Sequence, residues 1–524
     1  MSIVDRLPKH ILVGIGIFFT LCAISIFMQQ GMVNSPDEAA NKLFISTWSE
    51  QSRMVHTLRA LPKTTYPLFP RSTYEFSPGT VAPSGFIGLP LVYGTIAKLF
   101  GSSIIFYLTL CFTIIASVMW WSIMCRIFDK KIADCSFWFF LFHPAVLYYT
   151  VRGLFPNMFF LDCAIIAIYF ALHAYEAGIK EKWIRMVGAG CASGIAAVCC
   201  ILVRPPEAFV IFVTTVLSLA FFGDRMVRRV CGSIFFVFLY GALMLWLVHS
   251  MHIIPGGYSF VNQQSIGELF FPFGIHVARV WHTAVQFIVK LFSPWVVFST
   301  AGAALWLWRV YKEKKFDKNS ATYFSIIFPV SIWLFVVYGS WQFSDNPADA
   351  QAVTLGSSYV RYWLPHLLFR MPFAAYLLYQ CARNRAHLHR YIFLVCVLFS
   401  VIFGVWHAYF GVDGLLMVTR QVREARVQVR EARELAPAGA VFAVRAWDKY
   451  FFPDAVVLQP FPYDIRTYGA VRELLRTQIP VWAFIETLHE TDSLWLRKNG
   501  IAVRAVREFV PHTLYELSVW NEVR

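Results

Sequence analysis

The sequence predicts a polytopic α-helical membrane protein that carries a small C-terminal α/β domain. Three observations lead there. Of 524 residues 58% are hydrophobic and 15% charged, more apolar surface than soluble domains can bury. Several stretches of roughly 18 to 22 residues are nearly free of charge, and a helix of that length crosses a hydrocarbon core at about 1.5 Å per residue. Beyond residue 411 the charge rises at once and the apolar runs shorten to strand length.

Eleven spans are expected, at 11–28, 104–126, 133–150, 159–175, 186–203, 207–222, 230–249, 285–308, 321–340, 363–381 and 391–410. The first follows Arg6 and Lys9, and MQQGMVNSPDE after it offers no small-residue cleavage site, so it is expected to stay as a helix. With the N-terminus inside, every inside loop is basic: RIFDKK (126–131), KEKWIR (180–185), DRMVRR (224–229), RVYKEKKFDK (309–318) and RNRAHLHR (383–390). The long loop 29–103 and residues 411–524 then face outward. PSGFIGLPLVYGTIAKLFG (83–101) is apolar enough for another span, but a crossing there would flip every later basic loop. It is expected to be a juxtamembrane helix.

The formal net charge of +15 is not a nucleic-acid signal. Residues 1–410 hold 31 Lys/Arg against 17 Asp/Glu, and 411–524 hold 15 against 14, so the excess belongs to the membrane part. The 11 cysteines lie between Cys22 and Cys396, mostly in apolar segments and without a CxxC pair, as buried apolar residues would.

Residues 411–524 read as a charged helix, LLMVTRQVREARVQVREARELAP, then strand-like runs at 440–445, 455–458, 480–485, 501–507 and 513–519. Helical patterns at 467–478 and 490–499 interleave with them, which predicts a partly parallel sheet. This domain shows no phosphate loop and no metal-ligand cluster, and its expected job is that of a lid, support or acceptor-docking module.

Asp37 and Glu38 stand adjacent in NSPDEAANKLF (34–44), just outside the first span. They are either capping charges of a helix start or a carboxylate tuned as a general base at the membrane surface. Arg361, in SSYVRYWLP (357–365), is either an interfacial anchor or a guanidinium fork for a phosphate. Arg152 in YYTVRGLFPNMFFLD and Arg204 beside Glu207 in LVRPPEA recur on the outward side, with Arg53, His56, Arg59, Lys63 and Arg71 in the first loop. Cations on the translocated side suit an anionic lipid headgroup. Asp162 is expected to pair with Arg152 or, as the lesser alternative, to serve the site, and His143 and His282 to be satisfied interface histidines.

The Asp-Glu pair in a long first outer loop, an apolar segment ending in KLFG, the link R...PNM and the late RYWLP together resemble the GT-C superfamily of membrane glycosyltransferases. Within it they resemble glycosyltransferase family 39, which includes protein O-mannosyltransferases and the bacterial aminoarabinose transferase. The resemblance covers about 1–410, where it implies a transmembrane catalytic domain, and thins out over 411–524, the extracytoplasmic α/β domain that the pattern and loop charges predict. It implies an inverting, EC 2.4-class transfer of a sugar from a polyprenyl-phosphate carrier to a hydroxyl, on the extracytoplasmic face of the plasma (inner) membrane.

By the same resemblance Asp37 is the catalytic carboxylate and Glu38 its acidic neighbour, and Arg361 and Tyr362 approach the lipid phosphate; Arg204 and Arg152, as outward-side cations, are the further candidate phosphate ligands. Asn157 stands where the family often has Asp, and Pro83 and Pro90 replace its paired prolines. The implied partners are the polyprenyl-phosphate-sugar donor, membrane lipids and a glycan, lipid or protein acceptor, with no nucleic acid. No cofactor is implied with certainty; a divalent metal is compatible with the residues without being called for. The competing class is a lipid-linked sugar flippase or secondary transporter, for which broken midplane helices and an inverted repeat are the expected marks.

Overall fold

The computed structural model describes residues 7–29, 31, 33–58, 68–77, 79–222, 271–313, 318–343, 353–382 and 386–520. The span expected at 230–249, and Arg59 and Lys63, lie outside them. The chain divides into two compact units, one drawing its described residues from 1–31, 103–247 and 259–417, the other from 32–102, 248–258 and 418–524.

Among the described residues six helices are long and apolar enough to cross a membrane: Lys9–Gln29, Ser102–Ile127, Pro156–Gly178, Trp183–Val203, Thr322–Ser340 and Tyr391–Leu435. A bent pair, Val277–Lys290 and Ser293–Glu313, makes a further span if read as one, with 103° between its halves. Two expected spans are broken. Residues 133–150 fold as Lys130–Leu141 and Pro144–Val151. Pro144 has no amide hydrogen for the preceding turn, so the chain restarts at His143, whose Nδ1 accepts from the Ala145 amide at 3.3 Å. The run 363–381 divides into Leu364–Phe369 and Met371–Ala382, with Pro365 and Pro372 at the restarts, and the short helix Ser358–Tyr362 precedes it. Hydropathy does not register these breaks, because the residues around them stay apolar.

Small residues set the closest helix contacts of this unit. A Cβ at Gly302 would lie 1.9 Å from the Phe373 carbonyl oxygen, and one at Gly404 2.0 Å from that of Phe142. At both places the backbones themselves touch, the packing that gives membrane helices their dispersion contacts.

The second unit contains two sheets. Strands β1 (His56–Thr57), β2 (Thr73–Ser77) and β3 (Thr80–Pro83) form an antiparallel sheet in the order β1-β3-β2. The juxtamembrane helix expected in 83–101 is Gly88–Phe100, whose 13 residues span about 20 Å, short of a hydrocarbon core of about 30 Å. It packs on helix Pro36–Gln51, Gly94 allowing the approach: a Cβ there would lie 2.9 Å from the Ile45 carbonyl oxygen.

The larger sheet has β4 (Val441–Val444), β5 (Val456–Leu458), β6 (Val481–Glu486), β7 (Ile501–Phe509) and β8 (His512–Val519), in the order β5-β4-β6-β8-β7. β4 runs parallel to β5 and β6, and β8 antiparallel to β6 and β7. Alternation along the strands gives it two buried faces. Phe442, Val444, Trp482 and Phe484 pack with Ala40, Leu43 and Phe44 of helix Pro36–Gln51. Val441, Ala443, Val481 and Ala483 pack with Val471 and Leu474 of helix Arg466–Arg476 and Leu496 of helix Glu490–Lys498. The apolar side of Pro36–Gln51 thereby fixes where the acidic pair at its start can stand.

Candidate active site

Each unit holds one of the two constellations expected from the sequence. In the second unit Ser35 caps helix Pro36–Gln51, its hydroxyl accepting from the Asp37 amide at 3.3 Å. Glu38, 3% exposed, turns back on the cap, and its Oε2 accepts from the amides of Asn34 at 3.1 Å and Ser35 at 3.0 Å. This reciprocal capping box satisfies helix-end donors and gives Glu38 a structural task. Asp37 is partly exposed at the same turn, and its Oδ1 accepts from the Ser72 hydroxyl at 2.5 Å.

Ser72 follows Arg71, one of the loop cations singled out in the sequence. Arg71 closes on the fully buried carboxylate of Asp448: its amide donates to Oδ2 at 2.8 Å, and its Nε and Nη2 donate to Oδ1 at 3.0 and 2.7 Å. Nη2 also donates to the Ala446 carbonyl at 2.9 Å. The next two residues reach the other side of the turn, where Lys449 Nζ donates to the Asn34 carbonyl at 2.5 Å and the Tyr450 hydroxyl donates to Asn34 Oδ1.

In the first unit the four residues expected at the phosphate gather around two rings. The guanidinium carbons of Arg152 and Arg361 lie 4.7 and 4.8 Å from the centroid of Phe155, and those of Arg361 and Arg204 lie 5.2 and 4.4 Å from that of Tyr362. Aromatic faces attract cations in this geometry. Tyr362 is held in turn by stacking on Tyr338 at 4.4 Å and Phe343 at 5.1 Å. Arg361 Nη2 donates to Ser358 Oγ at 2.8 Å, and Arg152 Nη1 to the Tyr148 hydroxyl at 2.7 Å, which itself donates to Asp413 at 3.2 Å. Arg204 is paired with Glu207, its Nε donating at 2.6 Å, and both bond the Tyr338 hydroxyl.

Several expectations are corrected. Asp162 pairs with Thr113 rather than Arg152, its Oδ2 accepting from the Thr113 hydroxyl at 2.9 Å. His143 is buried inside the first unit, and its Nε2 has no hydrogen-bond partner among the described residues, so it is not fully satisfied. Ser72, Asp448, Lys449, Tyr450, Phe155 and Tyr338 escaped sequence reasoning. Phe155 lies three residues after Arg152 and could have been noticed, but nothing local ties Asp448 to Arg71. Among the described residues no group of three or more His, Cys, Asp or Glu side chains could hold a metal.

No protein-family model and no curated protein sequence matches the chain. Its fold is nevertheless shared with solved structures. A crystal structure of ArnT from Cupriavidus metallidurans bound to undecaprenyl phosphate superposes with a TM-score of 0.58 at 12% identity, covering 96% of this chain and 97% of that one. The apo structure of ArnT from the same organism gives 0.56 at 13% identity, with 95% and 97% covered. The likeness spans both units, so the C-terminal sheet belongs to the architecture shared with ArnT.

Proposed function

We propose that this protein transfers a sugar from a polyprenyl-phosphate-linked donor to an acceptor hydroxyl at the extracytoplasmic face, with the N-terminus cytoplasmic and residues 411–524 extracytoplasmic. The observation that carries the reading is the gathering of Arg152, Arg204 and Arg361 around Phe155 and Tyr362. Three guanidiniums brought together in a helical membrane unit suit an anionic ligand, and a phosphate monoester suits planar forks better than ammonium groups. That the fold recurs in a protein bound to undecaprenyl phosphate supports the same ligand class.

In this reading the acceptor oxygen attacks the anomeric carbon as the bond from that carbon to the phosphate oxygen breaks, and the configuration inverts. Asp37 takes the hydroxyl proton, since a neutral alcohol is a poor nucleophile. Arg361, Arg152 and Arg204 receive the charge that develops on the departing phosphate, and Tyr362 seats two of them. Glu38 holds the turn that carries Asp37.

The test uses the full chain in lipid nanodiscs with a panel of undecaprenyl-phosphate monosaccharides and an envelope lipid extract as acceptor. Release of undecaprenyl phosphate with a sugar-modified product is the expected result. Movement of the intact donor across vesicles without transfer would instead establish the transporter class.

A further inference from the structure

We propose that the turn Ala446–Tyr450 of the C-terminal domain is the positioning element for Asp37, acting through the Asp448–Arg71–Ser72 chain of contacts. The inference rests on Asp37 as the base and assigns its orientation to a turn centred on Asp448, 411 positions further along the sequence.

The first support is the completeness of the Asp448 contact. A carboxylate with no exposed surface is costly unless fully paired, and here both oxygens are taken by one residue, through its amide and its side chain. Arg71 is thus fixed in backbone as well as side chain. The second is the conformation of the residue that follows. Ser72 has φ 62°, the left-handed region, which is strained for a non-glycine residue and persists only where neighbours over-determine it. Arg71 clamps it on one side. On the other, the Ser84 amide donates to the Ser72 carbonyl at 3.2 Å and the Thr73 hydroxyl to that of Pro70 at 2.7 Å.

The third support is the result of that conformation, the hydroxyl contact to Asp37 Oδ1. A donor aimed at one oxygen fixes the carboxylate plane and favours its ionised form. Finally, Lys449 and Tyr450 hold Asn34 on the opposite side, so the short helix Asp448–Phe451 grips the acidic turn from two directions. Proton transfer requires the base within hydrogen-bond reach of its proton, and a displacement near 1 Å can cost roughly 100-fold.

Two variants test this without threatening the fold. Ser72→Gly removes the hydroxyl while easing the left-handed φ, and Arg71→Lys keeps the charge but loses the fork. The first readout is carbodiimide labelling of Asp37 by mass spectrometry against pH, which reports its protonation without any donor. The second is single-turnover transfer from the undecaprenyl-phosphate panel.

Both variants should raise the pH of half-labelling and slow transfer about 10-fold, and the double variant should be no worse than the poorer single one. An Arg71→Lys protein with the wild-type labelling curve and rate overturns the proposal, as does a Ser72→Gly protein with both unchanged, or full additivity in the double. A failure of the base assignment looks different: Asp37→Asn would transfer normally whatever the labelling curves do.

Discussion

At the turn carrying Asp37, carboxylates are held by donors aimed at their oxygens: amides at Glu38, a hydroxyl at Asp37, an amide and a guanidinium at Asp448. In the helical unit the order is reversed: guanidiniums sit over the faces of Phe155 and Tyr362 and donate to Ser358, Tyr148, Tyr338 and Glu207. The difference is instructive. A ring face fixes the position of a guanidinium without using the N–H edge, which points in the guanidinium plane. A hydroxyl donor instead fixes a carboxylate through a directed contact to one of its oxygens. The first arrangement suits gripping an anion, the second suits accepting one proton in one direction.

The largest expected effect breaks that contrast at Asp37. Asp37→Asn keeps the size and removes the basic oxygen, so single-turnover transfer should fall about 10²- to 10⁴-fold while undecaprenyl phosphate still binds. Normal transfer would reduce the acidic turn to a helix cap. Next comes Arg361→Ala, which should weaken undecaprenyl phosphate binding about 10- to 150-fold, the worth of about 1.5 to 3 kcal/mol for a charge-assisted contact. Arg361→Lys should recover only part of this, and unchanged affinity in the Ala variant, measured by titration, would leave Arg361 as an interfacial anchor.

Glu38→Ala sharpens the division between the two acids. Losing the capping box should cost about 0.5 to 2 kcal/mol of stability, read from thermal unfolding, and Glu38→Gln should restore most of it because the amide oxygen still accepts. A Gln variant as inactive as Asp37→Asn would give Glu38 the chemistry.

The smallest effect concerns pH. Burial holds the His512 imidazole below its ordinary value, against an opposing pull from Glu486, and its ring stacks on Phe484 at 5.4 Å. The folded domain therefore binds fewer protons than the unfolded chain, and this group's contribution is lost as pH falls below about 6.5. His512→Gln should flatten the stability of the domain between about pH 7 and 5, measured by denaturant unfolding.

Hydrophobic period carried most of the fold. Five strands lie where alternating runs were read, because each strand of the larger sheet has buried faces that write the pattern into sequence. The breaks at Pro144, Pro365 and Pro372 were less legible, since proline also sits quietly at helix starts. Of the site, Arg204 and Glu207 are three residues apart and could be paired by eye. The Arg71–Asp448 contact could not, because no local period links residues from the two ends of a chain, and Arg71 read alone looks like one more loop cation.

That contact also sets an order of manufacture. A ribosome adding roughly 5 to 20 residues each second needs about 20 to 75 s to pass from Arg71 to Asp448, 377 residues later. Throughout that interval the membrane helices emerge and insert while the loop bearing Asp37 waits without the strand-end turn that secures it. The nascent chain is therefore competent to enter the bilayer long before it is competent to organise its acidic turn, and a product released early would occupy the membrane as an inert lodger.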